Sequence, residues 1–138
     1  MMADLDVRPH HCGISVSDLD GAVAWFEKVL DFTLDKTGEL PGCRLAFVRR
    51  GDFSVELFQH DETRPASPER GLPNEDIKTQ GNKHMCMIVD DLDALLARFE
   101  ENDVKVVLGP FVAPDGYRAC FIHGPDQALM EFIQAPRS

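Results

Sequence analysis

The chain has 138 residues, 43% of them apolar and 28% charged, with a formal net charge of −10. These are values of an ordinary globular protein, long enough for one compact domain or two small modules that share a core. A surface of that sign repels phosphate backbones, and no apolar run approaches the roughly 18 residues that span a bilayer, so neither nucleic acid nor membrane is an expected partner.

A small-molecule substrate, including an anionic one, stays open, because a few arginines or a metal can make a pocket locally positive. Residues 1–9 lack the apolar core of a signal peptide, which makes a cytoplasmic address the expectation. Cys12, Cys43, Cys86 and Cys120 stand singly in apolar, strand-like stretches. They read as reduced thiols acting as small buried apolar groups.

In chain order, residues 10–16 read as a strand, stopped by the Ser17-Asp18 helix start. Leu19, Val23, Phe26 and Leu30 fall at helical spacing, with Asp20, Glu27 and Lys28 on the other side. Strands are predicted over 32–36, 44–49 and 53–59, divided by turns at Gly38, Pro41-Gly42 and Gly51-Asp52. A polar, proline-bearing stretch follows that is long for a connection, and reads as a linker or a functional loop. The order then repeats: strand 84–89, helix 91–101, and strands 104–108, 117–122 and 128–134.

The two halves also repeat in detail. His11 precedes Asp18-Leu19-Asp20 by seven residues, and His84 precedes Asp91-Leu92-Asp93 by the same interval. Each half closes on a strand bearing a glutamate, Glu56 in SVELF and Glu131 in LMEFI. The fold class expected is α+β, two βαβββ modules with mixed sheets curled around a cavity. The first module spans residues 8–60, a loop 61–82 and the second module 83–135.

In a strand, alternate side chains share a face. His11 therefore lies with Gly13 and Ser15, on the smaller and more polar side of its strand. Glu131 shares a face with Leu129 and Ile133, and a carboxylate among apolar neighbours is costly unless paired, hydrogen-bonded or bound to a cation. Two such glutamates at equivalent places in two repeats ask for one explanation. Should pseudo-symmetry bring the modules together, two imidazoles and two carboxylates converge. That set, His11, Glu56, His84 and Glu131, suits one divalent ion per site, such as Ni, Co, Mn, Fe or Zn.

The segments HHCGISVSDLD, SVELFQ, KHMCMIVDDLD and LMEFIQ together resemble the vicinal oxygen chelate superfamily, over nearly the whole chain. That superfamily includes glyoxalase I, methylmalonyl-CoA epimerase, extradiol dioxygenases and bleomycin-binding proteins. The resemblance implies a single glyoxalase-like domain over 1–138, a homodimer, and metal ligands at His11, Glu56, His84 and Glu131. It implies further that substrate chelates the metal through neighbouring oxygens while a ligand glutamate moves the adjacent C–H proton. Glu131 and Glu56 are thus the catalytic candidates, with Glu131 favoured by the family pattern.

Among branches, the resemblance favours a metal-dependent isomerase or lyase. An extradiol-type dioxygenase would leave the position of Glu56 without a protein ligand, and a non-catalytic binding or resistance protein has no need of the full set. The epimerase carries an amide where Glu56 stands. The ligand set is closest to that of bacterial glyoxalase I, but FIHGPDQALMEF lacks a cation beside Glu131, and glutathione recognition is not assigned. Arg8, Arg44, Arg49 and Arg118 read as surface charges, and His10, His60 and His123 receive no role.

Overall fold

The computed structural model describes residues 5–137. The N-terminal reading above therefore lies partly outside the described residues. Two four-stranded mixed sheets make up the molecule, each with its own helix. In the first, β1 (His11–Ser15) runs parallel to β4 (Phe53–His60). Antiparallel pairing continues outward to β3 (Cys43–Arg50) and β2 (Thr33–Leu40). The second sheet repeats this with β5 (Met85–Ile88), β8 (Leu129–Gln134), β7 (Arg118–His123) and β6 (Val106–Val112). The expected βαβββ order stands in both halves.

The helices start and stop where local chemistry requires. The Asp18 carboxylate accepts from the Gly21 N–H at 3.0 Å to open α1 (Leu19–Leu30), and Asp91 accepts from the Ala94 N–H at 3.1 Å to open α3 (Leu92–Glu101). A second free N–H at each start is met from the neighbouring strand. Leu19 N–H donates to Gln59 Oε1 at 2.7 Å, and Leu92 N–H donates to Gln134 Oε1 at 2.8 Å. This repeated glutamine latch ties each helix to the strand that carries the module's glutamate. α1 ends as Asp31 takes a left-handed conformation, φ 56°, letting the Phe32 N–H donate back to Phe26 O at 3.1 Å.

One core serves both modules. Phe26, Val48, Val55 and Leu57 from the first half join Leu92, Phe99, Ile122, Met130 and Phe132 from the second in a single buried cluster. Truncating a fully buried phenylalanine such as Phe99 to alanine costs about 3–5 kcal/mol. Polar ties run alongside. The Ser17 N–H and hydroxyl both donate to the Asp126 carboxylate, at 2.7 and 2.6 Å. Arg98 grips the Asp31 carboxylate with two N–H donors at 2.8 and 2.7 Å. The Arg98 guanidinium holds the Asp31 carboxyl below its ordinary range.

Three expectations need correction, the first being the turn at Gly38, which lies inside β2 (Thr33–Leu40). Residues 104–108 were predicted as the sixth strand; it runs Val106–Val112 instead, through Gly109-Pro110. Its register against β7 shifts between Leu108 and Phe111, a bulge that absorbs the proline's missing N–H. Gly109 has φ +100°, and a Cβ there would stand 2.8 Å from Ala119 O, so only glycine fits. Cys86 is exposed, not buried, because β5 turns it to the uncovered face; Cys120 alone of the four free cysteines is fully buried. The stretch between the sheets, expected as a linker or a functional loop, has local structure. It holds a 3-10 turn (Pro68–Gly71) and the one-turn helix α2 (Pro73–Asp76). Among the described residues no helix is long and apolar enough to cross a membrane.

Candidate metal centre

Helices and the shared core cover one face of each sheet, and the other face carries the candidate ligands. His11 opens β1, an edge strand, two residues before Gly13, which lies opposite Glu56 on β4. This parallel register sets His11 Nε2 3.2 Å from Glu56 Oε1. His84 lies just before β5, also an edge strand, two residues ahead of Cys86, which faces Glu131 on β8. His84 Nε2 is again 3.2 Å from Glu131 Oε1.

A phenylalanine completes each arrangement. Phe47 on β3 pairs with Glu56 and sets its ring edge-on to His11, centroids 5.1 Å apart at 80°. Phe121 on β7 pairs with Glu131 and meets His84 at 4.8 Å and 83°. The sequence repeat is therefore a geometric repeat: the same His–Phe–Glu triangle occurs twice, with matching angles. Each imidazole is braced by a ring and aimed at a carboxylate.

The donor set fits a divalent cation. Two ligands on neighbouring coordination positions, each about 2.1 Å from an ion, stand about 3.0–3.4 Å apart, and both pairs meet that spacing. All four side chains are mostly shielded, 16–33% exposed. The four residues come together as two pairs, one per module. Among the described residues no three His, Cys, Asp or Glu side chains gather into a metal cluster.

Surroundings distinguish the two pairs. Beside the first, Lys36 Nζ sits 4.8 Å over the Phe47 ring. Beside the second, Phe111 stacks on Phe121 with centroids 6.2 Å apart and planes 12° from parallel. Cys86 also faces the second pair, where desolvation and the adjacent Glu131 carboxylate push its thiol up to about 12. It stands there as a neutral thiol. A cavity of about 540 Å³ opens next to His84, lined by Ile77, Leu108, Pro110, Phe111 and Phe121 among others. That volume lies in the range of small-molecule sites.

His10 would point away from His11 in a regular strand, which leaves it no role in the sequence. It lies before β1 begins, where alternation no longer applies, and its Nδ1 is 2.7 Å from His11 Nδ1. His123 was also set aside; its Nε2 lies 2.8 Å from Gly71 O, pinning the segment between the sheets. Arg44 and Arg118 bind Asp20 and Asp93 on the helix starts, at 3.2 and 3.0 Å, and Arg8 binds Asp6 at 3.5 Å. Their reading as surface charges agrees with these pairings.

A sequence profile described as Glyoxalase/Bleomycin resistance protein/Dioxygenase superfamily matches residues 8–132. The Bacillus subtilis protein YwbC is 27% identical over 134 residues, covering 92% of this chain and 97% of that one. Human mitochondrial methylmalonyl-CoA epimerase is 28% identical over 133 residues, covering 93% of this chain and 74% of the epimerase. Among solved structures, a glyoxalase family protein from Bacillus cereus superposes with a TM-score of 0.78. Identity there is 19%, with 99% of each chain covered, a likeness that speaks for the fold.

Proposed function

The chain belongs to the glyoxalase/bleomycin resistance protein/dioxygenase superfamily, and from that premise we propose that it is a metal-dependent isomerase or lyase. Its reaction moves a proton on a carbon next to a carbonyl of a small molecule. The observation that carries this reading is the doubled pair, His11 with Glu56 and His84 with Glu131, each at 3.2 Å. Two imidazoles and two carboxylates hold one divalent ion of the Ni, Co, Mn, Fe or Zn class. Bound there, the ion supplies Lewis acidity to neighbouring substrate oxygens.

The chain's own residues do the rest. Phe47 and Phe121 hold the imidazoles edge-on, so each Nε2 stays aimed at its carboxylate. Glu131 takes the C–H proton and returns it to the same or the adjacent carbon; Glu56, its counterpart, is the second proton acceptor. Both carboxylates lie beside the place of the ion, within reach of a proton on a chelated substrate.

A single module offers only two ligands, and the two pairs of one chain form no larger cluster among the described residues. Both histidines sit on or beside edge strands, and Ile88 on β5 is 62% exposed on the His84 side. Exposed edges of this kind call for a cover. A homodimer in which the first module of one copy meets the second module of the other would complete two equivalent sites.

Solvent exchange tests the chemistry. The protein loaded with Ni or Co is incubated in deuterated water with methylmalonyl-CoA or with a glutathione hemithioacetal, and deuterium at the α-carbon is followed by NMR. We expect wash-in with a substrate of the right class, reduced about 10²–10⁴-fold in Glu131→Gln with metal retained. Oxygen uptake with a catechol, persisting in Glu56→Ala, would make the protein a dioxygenase. Tight ligand binding with no exchange would make it a binding protein.

A further inference from the structure

The segment between the two sheets builds one wall of the cavity beside His84, and its construction bears on what the cavity accepts. Ile77 and Pro73 face Leu108, Pro110, Phe111 and Phe121 across the space, with the Asn74 amide as a polar group. Among the described residues no Lys, Arg, Asp or Glu lines it. The bulge at Gly109 is what turns Leu108 and Phe111 to the same side, since Leu108 pairs with Phe121 and Phe111 with Ala119.

The cations of this segment are paired elsewhere: Lys78, next to Ile77, lies 3.2 Å from Glu75 Oε2. Asp76 is only 3% exposed, and its carboxylate binds Arg70 Nε at 3.1 Å and Lys83 Nζ at 3.4 Å. Lys83 donates as well to the backbone carbonyls of Asp76, at 2.6 Å, and of Thr79. On the other flank the His123 imidazole meets Gly71 O at 2.8 Å. The wall is thus anchored at both ends, and its anchors consume the positive charge that an anionic group would need.

Resting on the reading of His84 and Glu131 as half of a metal centre, we propose that this cavity seats the non-chelating substituent of the substrate. The substituent is uncharged and apolar, an aryl or branched alkyl group. A carboxylate, phosphate or charged peptide placed there would lose its hydration with no counter-charge in return. A ring instead finds Phe111 and Phe121 already stacked, and hydrocarbon on the opposite side at Ile77. The polar end of the substrate is left to the metal and to the Lys36 side of the completed site.

Hydroxamates, which chelate through two neighbouring oxygens, separate the tail from the metal-binding head. Cobalt-loaded protein is titrated with acetohydroxamate, benzohydroxamate and succinic monohydroxamate, by calorimetry and by the cobalt absorption band. We expect benzohydroxamate to bind at least about tenfold tighter than acetohydroxamate, and the anionic succinyl compound no tighter than acetohydroxamate. Ile77 is 67% exposed, so Ile77→Asp should fold. It should abolish most of the aryl preference while leaving cobalt content and acetohydroxamate affinity unchanged.

Equal affinity for the aryl and methyl compounds, or tightest binding of the succinyl compound, overturns the proposal while the metal centre stands. If instead cobalt is not taken up, the metal reading fails, and metal-free protein still decides the cavity. Acetophenone should shift the Ile77 and Leu108 methyl resonances where pyruvate does not; shifts from neither, or from pyruvate alone, overturn the proposal.

Discussion

Nδ1 of His10 lies 2.7 Å from Nδ1 of His11, so one ring donates the proton and the other accepts it. With His11 Nδ1–H as the donor, the lone pair of His11 Nε2 faces Glu56 and the position of the ion. Such a bond fixes the tautomer and the ring orientation of a metal ligand. In the proposed centre His10 would thus be a positioning residue for the first half-site. His10→Ala should weaken metal affinity by about 10–100-fold without removing any ligand. Competition with a chromophoric chelator measures this, and His10→Asn, which keeps a polar group at the site, should recover part of the loss.

Sharing of sites between copies has a genetic signature. Chains carrying His11→Ala and chains carrying His84→Ala should each lose metal and activity when expressed alone. In the proposed dimer, co-expression should give mixed pairs in which one site gathers both defects and the other gathers none. About a quarter of the wild-type sites should return. If all ligands came from one chain, no activity would return in the mixture, although the dimer would still form.

The clamp around Asp76 is testable apart from any chemistry. Asp76→Ala leaves Arg70 and Lys83 with backbone carbonyls but no counter-charge, and should cost about 1–3 kcal/mol. The loss is local. Amide exchange should quicken across residues 68–83 while α1 and α3 keep their protection.

Arg98 joins the modules through Asp31, and the sign of the pH dependence follows from the pair. The guanidinium's hydrogen bonds lower the folded pKa of Asp31 from its ordinary 3.8. The stability gained is therefore fully present above that ordinary value and is lost as pH falls through the lower folded value. Asp31→Asn keeps a residue suited to the left-handed backbone at φ 56°. Urea titrations should find the variant less stable than wild type at neutral pH, with the gap closing under acid and shrinking in high salt.

The parts legible in the sequence were those set by short-range periodicity. Asp18 and Asp91 mark helix starts because a carboxylate there accepts a free N–H; His11 and Glu56 could be assigned to faces because strand side chains alternate. Long-range geometry was less legible. No local signal places Phe47 against His11, a contact that depends on the register of three strands. The one-residue step from His10 to His11 crosses the start of a strand, where alternation fails. The sixth strand is expected to end at residue 108, and only β7 beside it explains how the strand continues through a bulge at Gly109-Pro110. Nothing local in its polar stretch marks Asp76; the fold brings Arg70 and Lys83 round it.

Lys36 over Phe47 and Phe111 against Phe121 each lie on the phenylalanine of otherwise matched triangles. A centre built from two identical halves would present the same surroundings to a chelating molecule and to that molecule turned end for end. With an ammonium on one flank and a ring on the other, the two orientations differ in energy. Glu56 and Glu131 then no longer have equal access to the same carbon. Handedness of the product would be decided by this pair of unlike neighbours, so exchanging Lys36 for an aromatic residue should erode stereoselectivity before it erodes rate.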